Sequence, residues 1–111
     1  YRGMIVEVPM QLRPMPGAPS FADVHAALAS AYEGSPIVSV ASLEECATIT
    51  QLPLEQVGAT DRLSLFLFGN ADGGQARLVA ALGNLGKGAA GAAVQNLNIL
   101  AGLPETAGLR L

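Results

Sequence analysis

The sequence predicts an α+β domain, a mixed and mostly antiparallel sheet covered by two helices. Three observations carry that prediction: period-two alternation near the N-terminus, a capped 3.6-period segment following it, and two apolar runs separated by a glycine-rich turn. With 111 residues, half of them hydrophobic, the chain can bury one core, so residues 1–111 read as a single domain.

The elements follow in order. Met4, Val6, Val8, Met10 and Leu12 alternate with positions that include Glu7 and Gln11, the pattern of a half-buried strand, and Pro9 removes a backbone donor, which places that strand at an edge or puts a bulge at its end. Arg13 to Pro19, with three prolines and a glycine, is a connecting loop. Ser20 and Asp23 form a capping-box pattern. Phe21, Val24, Leu28 and Ala31 then recur at helical spacing until Gly34 stops a helix that should cover one sheet face. Ile37, Val38 and Val40 form a short strand, and the polar stretch Ser42 to Thr60 reads as a long connection with one short element at most.

Leu63 to Phe68 is apolar on both faces, as a central strand is. The Asn70-ADGG turn joins it in a hairpin to Gln75–Leu82, where Ala76, Leu78, Ala80 and Leu82 face one way and Gln75 and Arg77 the other. A last helix, from about Lys87 to Ala101, carries an apolar stripe of Ala90, Val94, Leu97 and Ala101 suited to packing on the sheet. Its second stripe, Gly88, Gly91, Ala92 and Gln95, is almost bare. Glycines there disfavour a helix by roughly 1 kcal/mol each relative to alanine, so close backbone contact is the expected compensation.

Charge and composition exclude several functions. Six basic against nine acidic residues, with no Lys/Arg cluster, leave no electrostatic footprint for nucleic acid. No apolar run approaches the roughly 20 residues of a membrane-spanning helix, and no signal peptide opens the chain. Cys46 is the lone cysteine, preceded by Glu44 and Glu45, so it reads as structural and the chain as intracellular. His25 reads as a surface histidine, and no spacing suggests a metal site. Gly86-Lys87-Gly88-Ala89-Ala90-Gly91 matches GxGxxG after a strand, but no second parallel strand with a ribose-binding acid follows, and the Lys87 context rules out a P-loop.

The stretch from Lys87 to Gly102, Lys87-GAAGAAVQNLNILA-Gly102, resembles the C-terminal signature of N-acetyl-gamma-glutamyl-phosphate reductases. The resemblance extends to Arg2-Gly3-Met4, similar to that family's R-G strand, to Leu65-FLFGN, and to the ending with Gly102-Leu103 and Gly108-Leu109. It implies that the chain is the C-terminal part of a catalytic and dimerisation domain with glyceraldehyde-3-phosphate dehydrogenase-like architecture, without the Rossmann domain that binds NADP. The implied reaction is reductive dephosphorylation of N-acetyl-glutamyl phosphate to the semialdehyde in arginine biosynthesis, in the cytoplasm, by a homo-oligomer. The family's nucleophilic cysteine and acid/base histidine precede the R-G strand, so no catalytic residue is expected here and the piece should be inactive alone.

The resemblance assigns Asn84 to the nicotinamide carboxamide, Lys87, Gly88 and Gly91 to close approach of the cofactor, and Arg2 to the substrate's carboxylate or phosphate. Gly83 stands where the family has aspartate. Gln95 and Asn96 are expected to bond neighbouring backbone rather than ligand. Two alternatives share these features: a related aminoadipate-pathway reductase, and a noncatalytic α+β module that dimerises through its sheet or its glycine/alanine helix face.

Overall fold

The computed structural model describes residues 2–52, 54–70, 72 and 74–111. Four strands form one sheet in the order β1-β4-β3-β2, with β1 at Met4–Gln11, β2 at Val38–Val40, β3 at Leu63–Asn70 and β4 at Gln75–Leu82. β4 pairs antiparallel with both β1 and β3, and β2 pairs parallel with β3, so the sheet is mixed and mostly antiparallel as expected. β1 occupies an edge, one of the two arrangements that Pro9 allows. Ala71 and Gly73, part of the predicted hairpin turn, lie outside the described residues.

Helix α1, Phe21–Ala31, starts at the predicted capping box: Ser20 Oγ accepts from Asp23 N at 3.1 Å, and Asp23 Oδ2 accepts from Ser20 N at 2.8 Å. Its Phe21, Val24 and Leu28 pack on the buried cluster of Leu12, Leu67 and Ala76, together with Met10, Leu43 and Leu78. α1 therefore covers one end of one sheet face. At the start of β1 that face is only partly covered, by the turn at Gly88 beside Met4, and Met4, Val6 and Val8 remain exposed. The half-burial expected from their alternation is absent because the covering helix reaches only the Met10 end.

The long connection holds two helices rather than at most one short element: α2, Leu43–Thr48, and α3, Leu54–Gly58. A parallel pair needs a crossover of a dozen or more residues, and α2 and α3 supply it between β2 and β3. α2 carries its own capping box, Ser42 Oγ accepting from Glu45 N at 3.1 Å and Glu45 Oε2 from Ser42 N at 2.7 Å. Cys46 is buried in α2, consistent with a structural role. His25 is half-buried rather than on the surface, because its Nε2 reaches the Ala41 carbonyl at 2.9 Å. A carbonyl only accepts, so Nε2 carries the hydrogen.

The last helix differs most from expectation. Gly86–Ala90 is a π-helical turn, with Gly88 N donating to Gly83 O at 2.8 Å and Ala90 N to Leu85 O at 3.1 Å, and α4 proper runs from Gly91 to Leu100. The stripe expected to pack on the sheet faces solvent, with Leu97 63% and Val94 38% exposed. Gly91 and Asn98 are the buried residues of α4 instead. No helix among the described residues is long and apolar enough to cross a membrane.

Candidate functional site

The glycine-rich turn leaves β4 at Leu82 and forms one wall of a cleft of about 300 Å³. Arg2, Thr60 and Asp61, Gly86, Gly91 and Val94, and the tail residues Gly108 to Arg110 line it. That volume lies at the lower end of the range for small-molecule sites. The cleft can admit one ring or one charged group, not a whole dinucleotide.

Asp61 organises this cleft. Its N–H donates to Arg110 O at 2.7 Å and its Oδ2 accepts from Arg110 N at 2.9 Å, which stitches the tail to the loop before β3. Its Oδ1 lies against the glycines: a Cβ on Gly86 would stand 2.5 Å from it. The carboxylate thus sits against the π-helical turn that opens the final helix. The bare helix face expected to accept a neighbouring nucleotide domain is, at Gly86 and Gly91, in contact with a side chain of its own domain. Gly88 is exposed, and a Cβ there would meet Gly83 O at 3.2 Å.

Asn84 follows β4 and is half-buried, just outside the cleft lining. Its Oδ1 accepts from Gly3 N at 3.1 Å, which ties the start of β1 to the end of β4. The Nδ2 group makes no hydrogen bond among the described residues and is available to donate. Lys87 Nζ donates to Gln95 Oε1, and Gln95 Nε2 donates to Glu105 Oε1 at 2.6 Å, so the lysine is held against Gln95 of α4 and does not line the cleft. Gln95 therefore bonds side chains, not the backbone its position suggested.

Asn98, missed by sequence reasoning, fastens the tail: its Nδ2 donates to Glu105 O at 3.1 Å and Ala107 O at 2.8 Å. Its place between Leu97 and Ile99 was the signal for it. Asp61 and Arg110 were also missed; nothing in their local sequence marks them.

A larger groove of about 480 Å³ lies on the sheet, lined among others by Glu7, Gln11, Gln75 and Arg77. Its polar groups pair with each other, Arg77 with Glu7 at 3.4 Å and Gln75 with Gln11 at 3.4 Å, and none of the residues selected from sequence reaches it. No group of three or more His, Cys, Asp or Glu able to hold a metal occurs among the described residues.

Two capping-box carboxylates are shifted, and both serve the fold. Asp23 lies below its ordinary range, held first by the Ser20 hydroxyl and then by its backbone N–H. Glu45 is lowered likewise, first by the Ser42 backbone N–H and then by its hydroxyl.

No protein-family model matches the chain. Among curated proteins it is similar to enzymes named N-acetyl-gamma-glutamyl-phosphate reductase from Brucella ovis, Brucella melitensis biotype 2 and Brucella abortus strain 2308. Each is 50% identical over 101 residues, which are 91% of this chain and 33% of the relative. The chain thus spans a third of the length of these relatives. Over nearly all of its own length it is homologous to N-acetyl-gamma-glutamyl-phosphate reductases, whose C-terminal third it matches.

Proposed function

We propose that residues 1–111 form the C-terminal part of the catalytic and dimerisation domain of an NADP-dependent reductase that converts N-acetyl-glutamyl 5-phosphate to N-acetylglutamate 5-semialdehyde. The observation that carries this reading is the 50% identity over 101 residues to reductases of that name. In this reading NADP is bound mainly by a preceding Rossmann domain, and the nucleophilic cysteine and acid/base histidine also lie outside these residues. Cys46, buried in α2, and His25, committed to Ala41 O, are unsuited to replace them.

NADPH supplies the hydride when bound. This chain's residues would position it. Asn84 has a free Nδ2 to donate to the carboxamide oxygen while its Oδ1 stays on Gly3 N, an anchor that orients the amide. Arg2, lining the cleft, would hold the substrate's carboxylate or phosphate through its planar fork. Gly88, exposed at the turn, would permit close approach of the nicotinamide, with Gly91 shaping the turn behind it and Lys87 bracing it through Gln95. The protein would act in the cytoplasm as a homo-oligomer, its exposed β1 residues Met4, Val6 and Val8 offering apolar surface for association.

The test is to read the coding sequence upstream of Tyr1 and assay the protein it encodes. A Rossmann unit and a cysteine there, with NADPH-dependent turnover of the acyl phosphate, would support the reading; an unrelated domain or no turnover would reject it. Within the full-length enzyme, Asn84→Ala should raise the KM for NADPH more than that for the acyl phosphate, whereas unchanged kinetics would remove Asn84 from the site.

A further inference from the structure

Arg2 enters the cleft from the residue before Gly3 and β1, and Arg110 enters it from the tail beyond α4. Both are exposed, and neither guanidinium takes part in an ion pair or side-chain hydrogen bond among the described residues. The carboxylate that shares the cleft forms no ion pair with either among the described residues. Asp61 Oδ2 accepts from the Arg110 backbone N–H, and its Oδ1 is directed at Gly86 and Gly91.

The placement of Arg110 is not loose. Its backbone is held on both sides by Asp61, and the tail before it is fastened to Asn98 at Glu105 and Ala107. All these bonds use backbone atoms of the tail, so they set where Arg110 stands without occupying its side chain. An anion held between two guanidiniums makes charge-assisted hydrogen bonds with both.

We propose that Arg2 and Arg110 together form a seat for an oxyanion, a phosphate or a carboxylate, beside the glycine-rich turn. The inference deepens the reductase reading and rests on it for the identity of the natural ligand, but the seat itself can be examined without turnover. The C-terminal tail then serves as a wall of the ligand site, with Asn98 and Asp61 as positioning residues and Arg110 as the group that touches the anion.

The experiment titrates the full-length protein with inorganic phosphate, and separately with acetate, at ionic strength fixed by chloride, following the arginine Nε–Hε signals by NMR. Saturable shifts at Arg2 and Arg110 are expected with phosphate, acetate or both, and the stronger of the two identifies the headgroup. Arg2→Gln and Arg110→Gln should each weaken the apparent affinity about tenfold, and Arg110→Lys by less. Arg77→Gln, which removes a cation outside the cleft, should leave it unchanged. Shifts no larger than those in chloride alone, or equal weakening by Arg77→Gln, would overturn the seat. Because the readout needs neither NADPH nor acyl phosphate, failure of the seat leaves the reductase reading standing, and absence of reductase turnover leaves the seat standing.

Discussion

Asp61 and Gly91 approach so closely that a Cβ on Gly91 would stand 2.7 Å from Asp61 Cγ, nearer still to its Oδ1. The glycine-rich turn is therefore shaped to receive a carboxylate of its own chain, and this contact joins three segments: the loop before β3, the start of α4 and the tail at Arg110.

That relationship gives a substitution whose sign is diagnostic. On helix propensity alone, Gly91→Ala should stabilise by up to about 1 kcal/mol. The overlap with Asp61 opposes this with the roughly 1–3 kcal/mol typical of an overpacked site. Gly91→Ala is expected to destabilise the chain, and to cost less in an Asp61→Ala background, where only the overlap with the Gly86 backbone remains. Urea unfolding of the four members of the cycle measures the coupling; additive effects would mean that the two residues do not meet.

Asn98→Ala should release the tail. Two hydrogen bonds from a buried amide are lost, each worth about 0.5–1.5 kcal/mol, although the freed carbonyls of Glu105 and Ala107 can regain water. Backbone amides from Leu103 to Arg110 are expected to exchange hydrogen faster while those of β3 and β4 keep their protection, since the tail can open without the sheet. Uniform acceleration across the chain would instead place Asn98 at the centre of global stability.

The particular residues explain how far the sequence was legible. Pro9 announced an edge strand because a missing donor has few acceptable places, and Ser20 with Asp23 announced α1 because the capping box is local chemistry. Ser42 with Glu45 carries the same signal for α2, but the polar stretch around it offers too short an apolar period to reveal a helix. The position of α4 was not legible. Its stripe of Val94 and Leu97 has the right period to pack, yet period does not tell which surface, in this domain or another, will receive it. The partner of the glycines was hidden for a similar reason: Asp61 is far away in sequence, and nothing near it marks a contact with Gly91.

Since Leu97 projects from α4 with 63% of its surface exposed, Leu97→Lys should change the stability of the 111-residue chain by no more than about 0.5 kcal/mol. Leu67→Ala, in the cluster beneath α1, should cost about 2–5 kcal/mol. Thermal unfolding at low protein concentration compares the two. A large loss from Leu97→Lys would mean that α4 packs its stripe inward after all.

The two capping boxes predict an acid-limb pH dependence. Asp23 is held below its ordinary range by the Ser20 hydroxyl and backbone N–H, and Glu45 by the Ser42 backbone N–H and hydroxyl. Unfolding removes these bonds and returns both carboxyls to ordinary values near 4, so in acid the unfolded chain binds protons that the folded chain refuses. Their contribution is therefore complete above the unfolded values and is lost as pH falls through the lower folded ones. The urea midpoint should be insensitive to these groups between pH 7 and about pH 5 and should fall as pH drops from about 4.5 to 3. Both carboxyls are fully exposed, so salt and solvent keep the effect modest. In an Asp23→Asn, Glu45→Gln variant the amide oxygens can still accept the backbone N–H bonds but no longer titrate. That variant should show a shallower acid limb than the parent; an equally steep decline would mean that other carboxylates carry the acid sensitivity.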